Sequence, residues 1–290
     1  MSGSSFYIAC PFLWKPFFWK PLFWKPLLLS LALILASPQA AAIKILSFAI
    51  LQEAPHDSEL FTQGLLLEGD MLVESAGGYS ESQIRRYHAT TGAITEETEL
   101  PAHVFAEGIA QVDERLYLLT WQEGTAFVLD ADTLAIRDSI KYQGEGWGLA
   151  YDGKRLIMSD GSDKLTLRDP HDFSQIATLP VTGGGQIWRK LNELEYAKGF
   201  IWANIWLDTR ILAIDPEYGT VAGILDLAEL VKLNNTRPGH SVLNGIAYDP
   251  KRKAFWVTGK LWPRRYLIEI IWPETSSASS QQPSSGNSAN

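Results

Sequence analysis

Residues 105–121 read "FAEGIAQVDERLYLLTW". An apolar run, a polar turn at "VDER" and a second apolar run predict two short antiparallel strands. The first run contains Glu107, an ionisable group held between Ala106 and Gly108 where burial is expected. A buried carboxylate is costly unless it is paired, meets water in a cavity, or does chemistry.

The same strand–turn–strand form returns in "FTQGLLLEGDMLVES" (61–75), "EGWGLAYDGKRLIMSDG" (145–161), "LNELEYAKGFIWANIW" (191–206) and "LNGIAYDPKRKAFWVTGK" (243–260). Aligned on Gly64, Gly108, Gly148, Glu193 and Gly245, the five units are spaced by 44, 40, 45 and 52 residues. Each continues with a third strand ("QIRRYHA", "AFVLDA", "LTLRD", "ILAID", "YLIEI"), and four add a fourth ("AITEETEL", "AIRDSIKY", "SQIATLPV", "TVAGILDL"). Repeats of this length with four strands each predict an all-β, five-bladed β-propeller. The fifth unit ends after its third strand. The stretch "IKILSFAIL" (43–51) is expected to supply the missing one, so that the N-terminal strand joins the last blade and closes the ring. WD40 dipeptides are absent, and a β-sandwich would not explain the repeated glycine at the strand starts.

In a propeller the first strand of each blade lines the central channel. The residues one before the aligned positions, Gln63, Glu107, Trp147, Asn192 and Asn244, are therefore expected on one ring, and none is aliphatic. Glu107 then sits at a channel mouth, partly desolvated, with a raised pKa. The ends of the second strands bring Trp121, Asn204, Trp206 and Lys260 to the same mouth, with Tyr79, Asp160 and Trp262 nearby. Together they predict a pocket of indole walls holding one carboxylate, one ammonium and several amides. The plainer alternatives are packing for Trp121, Trp147 and Trp206, a turn for Asp160, a surface cation for Lys260, and a structural or metal contact for Glu195. Of the five histidines, none has ligand spacing, and His56 is expected to orient the loop entering the first blade. No phosphate loop, nucleophile elbow or metalloprotease motif is present.

The ends of the chain are of a different kind. Residues 1–42 contain no acid, three lysines in a "FLWKPFFWKPLFWKP" tract, an apolar "LLLSLALILA" and a small-residue "SPQAAA". This is the pattern of a signal peptide; an uncleaved anchor is the alternative, but the apolar run is about half the ~20 residues that span a bilayer. Residues 274–290 are Ser-, Gln- and Asn-rich and read as a disordered tail. The folded domain is expected over 43–273, exported to the periplasm or exterior, without stable membrane insertion, and monomeric. Its one cysteine, Cys10, lies in the leader, which excludes disulfides, thiol nucleophiles and Cys-based zinc sites in the exported part. The formal net charge of −8 becomes more negative without Lys15, Lys20 and Lys25, and nothing favours nucleic acid as a partner.

"PHDSELFTQG", "FAEG", "LTW", "GEGWGL", "LNELEY", "ANIW", "LNGIAYD" and "VTGKLWP", in this order, resemble the motifs of glutaminyl cyclases of the plant and bacterial type. These are five-bladed propellers, and the resemblance spans residues 43–272. It implies conversion of an N-terminal glutamine of peptides or proteins to pyroglutamate with loss of ammonia. It also implies that Phe61, Gln63, Phe105, Glu107, Trp121, Trp147, Asn204, Trp206 and Lys260 form the active-site pocket, with Glu107 and Lys260 catalytic. No cofactor is required by that chemistry; a structural divalent metal in the channel stays open. Plant members carry a disulfide, which this chain lacks. Two other readings are consistent with the residues: a metal-dependent propeller lactonase using Glu107, Asn192 and Asn244, and a non-enzymatic exported propeller that binds peptide or glycan.

Overall fold

A computed structural model describes residues 42–274, and all but one of the regular elements among them are β-strands. The leader expected over 1–42 and the tail expected over 274–290 lie, apart from Ala42 and Glu274, outside the described residues. In chain order the strands are β1 (Lys44–Pro55), β2 (Thr62–Glu68), β3 (Met71–Ala76), β4 (Gln83–His88), β5 (Ile94–Glu99), β6 (Ala106–Val112), β7 (Arg115–Thr120), β8 (Thr125–Asp130) and β9 (Ile136–Lys141). Then follow β10 (Leu149–Tyr151), β11 (Leu156–Met158), β12 (Lys164–Arg168), β13 (Gln175–Pro180), the small hairpin β14 (Thr182–Gly183) and β15 (Gln186–Ile187), and β16 (Leu191–Ala197). The chain ends with β17 (Phe200–Ile205), β18 (Arg210–Ile214), β19 (Val221–Asp226), helix α1 (Ala228–Asn234), β20 (Leu243–Asp249), β21 (Ala254–Gly259) and β22 (Arg264–Ile271).

Three four-stranded antiparallel sheets run β2 to β5, β6 to β9 and β10 to β13. An eight-stranded sheet has the order β16-β17-β18-β19-β1-β22-β21-β20. The first strand of the domain is therefore its bridge. Lys44–Leu46 pair in parallel with Gly223–Leu225 of β19, and Ser47–Pro55 pair antiparallel with Arg264–Ile271 of β22. The expected pairing of the N-terminal strand with the last unit is present, and the strand runs to Pro55, four residues beyond its expected end.

Within each four-stranded sheet burial falls from the first strand to the fourth. The apolar strands β2 and β6 are largely buried along their length, whereas "ITEETE" of β5 and "IRDSIK" of β9 are mostly exposed. Charged residues on an outer edge keep its unpaired amides from recruiting another strand. The first strands pack side by side in the cyclic order β2, β6, β10, β16, β20 and back to β2. Apolar clusters fill the spaces between successive units of the repeat. Ile84 and Val73 meet Ile109 and Leu118, Trp202 and Ile211 meet Phe255 and Val257, and Leu65 and Leu72 meet Trp256 and Leu267 of the last unit.

The close approach of the first strands explains the glycine in the repeat. A Cβ on Gly108 would lie 2.5 Å from the amide nitrogen of Leu149, and one on Gly148 would lie 2.1 Å from the carbonyl oxygen of Asn192. Backbone of the neighbouring strand already occupies that space, so no side chain fits. The fourth unit has Glu193 at the aligned position. Its buried carboxylate accepts from the Ile246 amide at 2.9 Å and the Leu65 amide at 3.4 Å, tying β16 to β20 and β2.

Two elements were not expected from the sequence. Gly184 and Gly185, both at positive φ, make the two-residue turn of the β14–β15 hairpin. Helix α1 accounts for the longer 52-residue spacing before the fifth unit. Asn234 fixes its end, donating to the Leu230 carbonyl at 2.8 Å and to the Tyr266 hydroxyl at 2.9 Å. No helix among the described residues is long and apolar enough to cross a membrane.

Candidate active site

First strands begin, and second strands end, on the same side of an antiparallel pair. Side chains at these termini therefore converge. Gln63, Glu107 and Asn192 come from β2, β6 and β16; Phe61, Phe105 and Trp147 lie just before β2, β6 and β10; Trp121, Trp206 and Lys260 follow β7, β17 and β21. These nine residues line one cavity of about 290 Å³.

Edge-to-face contacts build its walls. Phe105 lies 6.2 Å from Phe61 and 5.7 Å from Trp121, and Trp147 lies 5.6 Å from Trp206. The Lys260 ammonium sits 4.5 Å above the Phe61 ring, a favourable place for a desolvated cation. Glu107 accepts one hydrogen bond, from Gln63 Nε2 at 3.2 Å. Burial pushes its carboxyl well above the usual range; Lys260 opposes the shift, and Glu145 and Glu123 add to it. Burial lowers the Lys260 ammonium to about 8, against the pull of Glu107. A carboxyl raised by burial and an amine lowered by it, in one pocket, can exchange protons with a bound ligand.

Glu145 holds two of the indoles, and the sequence reading did not single it out. Its Oε2 accepts from Trp121 Nε1 at 2.9 Å and from Trp147 Nε1 at 3.0 Å, while Gln122 donates to Oε1 at 3.2 Å. The signal was available: Glu145 and Trp147 are two residues apart in "EGW", on one side of an extended chain. With both N–H groups committed to Glu145, neither Trp121 nor Trp147 is free to bind an oxyanion. Glu145→Gln keeps the size but replaces a charged acceptor of two indole donors. We expect KM to rise about 10-fold, with a smaller change in kcat, because such charge-assisted bonds are worth ~1.5–3 kcal/mol; steady-state kinetics checks this.

Buried His56 organises the loop that carries Lys260. It donates from Nδ1 to the Trp262 carbonyl at 2.7 Å and from Nε2 to Glu74 at 3.0 Å. Thr62 and Tyr87 also donate to Glu74, each at 2.6 Å. Burial alone would lower the His56 pKa, but the Glu74 charge and the hydrogen bonds raise it, so the pair is ionic. The Leu261 amide bonds to the Leu60 carbonyl at 2.8 Å, which sets Lys260 beside Phe61.

Three expected positions need correction. Asn204 and Asn244 are fully buried and do not line the cavity. Asn204 Oδ1 accepts from the Gly245 amide at 3.1 Å, and Asn244 Nδ2 donates to the Thr62 carbonyl at 2.9 Å and to Gln63 Oε1 at 3.4 Å. Their amides hold β20 and β2 behind the pocket. Trp262 is likewise buried, packed 6.4 Å from Tyr266 and under Gly259. Asp160 caps a turn, accepting from Ser162 N at 3.0 Å. Glu195 lines a separate cavity of about 170 Å³ with Ile109 and Tyr248.

Among the described residues the carboxylates and histidines offer no side-chain ligand set for the channel metal. Glu193, the carboxylate at the aligned position, is engaged by two backbone amides. Among the described residues no group of three or more His, Cys, Asp or Glu side chains is placed to hold an ion. The Glu107, Asn192, Asn244 set that a lactonase would use is also divided, since Asn244 lies outside the cavity.

Residues 26–270 match the model of a family described as glutamine cyclotransferase. The chain is 37% identical over 231 residues to a glutaminyl-peptide cyclotransferase of Arabidopsis thaliana, covering 78% of this chain and 72% of that one. It superposes on the crystal structure of Myxococcus xanthus glutaminyl cyclase with a TM-score of 0.75 and 35% identity, covering 80% of this chain and all of the other. The chain belongs to the glutamine cyclotransferase family.

Proposed function

We propose that the cavity around Glu107 is where this glutaminyl-peptide cyclotransferase converts an N-terminal glutamine to pyroglutamate. The observation that carries the reading is the buried Glu107 carboxyl, with its raised pKa, in a pocket of aromatic walls that also holds the Lys260 ammonium. The α-amine of the substrate attacks its own side-chain carbonyl. Glu107, as carboxylate, takes a proton from the nitrogen as the new C–N bond forms. It then gives that proton to the amide nitrogen, whose bond to carbon breaks and releases ammonia. Lys260, Gln63 and Asn192 face the charge that builds on the carbonyl oxygen. Phe61, Phe105 and the indoles hold the side chain folded back on the amine and keep water away from the carbonyl. No cofactor takes part in this scheme. Incubating the protein with a Gln-initiated peptide and following ammonia release and the matching mass loss tests it; an unchanged peptide overturns it.

Lys260 gives the reaction a distinctive pH dependence. An amine with its pKa lowered to about 8 is charged below that pH and neutral above it, so its support for the oxyanion fades as pH rises through about 8. The substrate amine must be neutral to attack and has an unperturbed pKa of ~8, which favours higher pH. kcat/KM therefore rises toward pH 8 and falls beyond it. Lys260→Met is expected to lower kcat/KM by roughly 10–100-fold and to remove the alkaline fall, leaving a rising limb and a plateau; a retained fall assigns it to another group.

The sheets support a five-bladed propeller in which the eight-stranded sheet is two blades joined through β1. The cyclic order of β2, β6, β10, β16 and β20 is what such a ring requires. The enzyme is taken to act as a monomer, which size-exclusion chromatography with light scattering checks. Its leader directs export and is removed after Ala42, and the native protein is expected to begin at Ile43 by N-terminal sequencing. A native protein that begins at Met1 and sediments with membranes overturns this.

A further inference from the structure

The cavity of about 290 Å³ is near the lower end of ligand-site volumes. It suits a single folded-back glutamine residue, yet the substrate is a peptide and its second and later residues must lie elsewhere. A groove of about 920 Å³ adjoins the pocket, and Phe61 and Phe105 line both. Leu261, next to Lys260, also lines the groove. Its floor is made by the β3–β4 loop, where Gly77 has no room for a side chain: a Cβ there would fall 2.0 Å from the Phe105 ring. The glycine lets Phe105 stand as a shared wall and keeps the groove open beside it.

The groove carries an unbalanced charge. Four glutamates and two arginines line it. Arg237 pairs with Glu59 at 2.7 Å, and Arg85 pairs with Asp57 at 2.7 Å and Glu97 at 3.4 Å. Glu81 and Glu99 have no cationic partner among the described residues. We infer that this groove binds the residues that follow the N-terminal glutamine, and that Glu81 and Glu99 favour peptides with lysine or arginine at those positions. The inference rests on the cyclotransferase reading of the adjoining pocket.

Three substrates test it: glutamine amide, Gln-Lys-Lys-amide and Gln-Glu-Glu-amide. Each kcat/KM is divided by the same protein's value on glutamine amide. The native protein is expected to favour the lysine peptide over the glutamate peptide roughly 3–10-fold, the size of two exposed charge pairs, mainly through KM and less so at high salt. The double variant Glu81→Lys, Glu99→Lys should reverse that order. A second variant, Ala102→Trp, puts bulk in the groove and should raise KM for both tripeptides relative to glutamine amide. Equal use of the two tripeptides by the native protein, or the same preference in the charge-reversed variant, overturns the groove assignment while leaving the cyclotransferase reading intact. Failure of all three substrates overturns the reading itself, and the groove with it.

Discussion

Glu107→Gln lowers kcat for cyclisation of Gln-initiated peptides by about 10²–10⁴-fold, the usual worth of a general acid–base group. The substitution keeps the shape of the side chain and its contact with Gln63, so the walls of the pocket stay in place. It removes the carboxyl that takes a proton from the attacking amine and returns it to the leaving nitrogen. Removing a carboxyl forced up by burial also relieves a strain on the fold, so the variant is expected to melt no lower than the parent. KM should change little, because the apolar walls that hold the substrate are untouched. Parallel thermal melts and steady-state kinetics check both halves. Parent-level turnover would make the carboxyl structural and the proton-shuttle scheme wrong.

A chain that begins at residue 56, without β1, is expected to be insoluble or largely unfolded. β1 fills the gap between β19 and β22, and its loss uncovers both strands at once. The exposed edge of β22 includes "YLIEII", an apolar segment suited to pairing with another copy. About ten ladder hydrogen bonds at ~0.5–1.5 kcal/mol each compare with a whole-domain stability of ~5–15 kcal/mol. Soluble yield and the circular-dichroism melt measure the effect. Grafting residues 43–55 after residue 274 should restore folding, since the strand would reach the same slot from the other end. Equal stability of the truncated chain refutes the bridging role.

Much of this was legible because the repeat is a physical constraint written five times. Gly64, Gly108 and Gly148 are spaced as the units are, since each abuts the neighbouring first strand. That alignment put Gln63, Glu107, Trp147 and Asn192 around one cavity. It misplaced Asn244 because the fifth unit departs from the others there. Gly245 has φ 114°, open to glycine but not to most residues, and the Asn244 amide is drawn to the Thr62 carbonyl. Asn204 failed for a related reason: alternation fixes which residues share a face, and neighbouring amides then decide which of them reach the pocket. Helix α1 has only seven residues and no side-chain cap, too short for a periodic signal. Glu145 was missed because its role lies in what it does to two tryptophans rather than in any motif of its own.

The slot filled by β1 also bears on the order of events in synthesis. β1 is made before every other strand and its partner β22 after every other, so Ser47 waits for Ile271, more than 200 residues away. The entropy of closing so long a loop grows only with the logarithm of its length, but contacts between distant segments form slowly. The intervening hairpins can form as they emerge, and β19 can take up Lys44–Leu46, whereas Ser47–Pro55 of β1 stay without a partner until the last strand is complete. A ribosome that stops early yields a chain with two uncovered strand edges and no means of hiding them, a ready target for proteases. The closing strand thus acts as an end-to-end check on completeness: only a chain that carries both its beginning and its end can become fully protected.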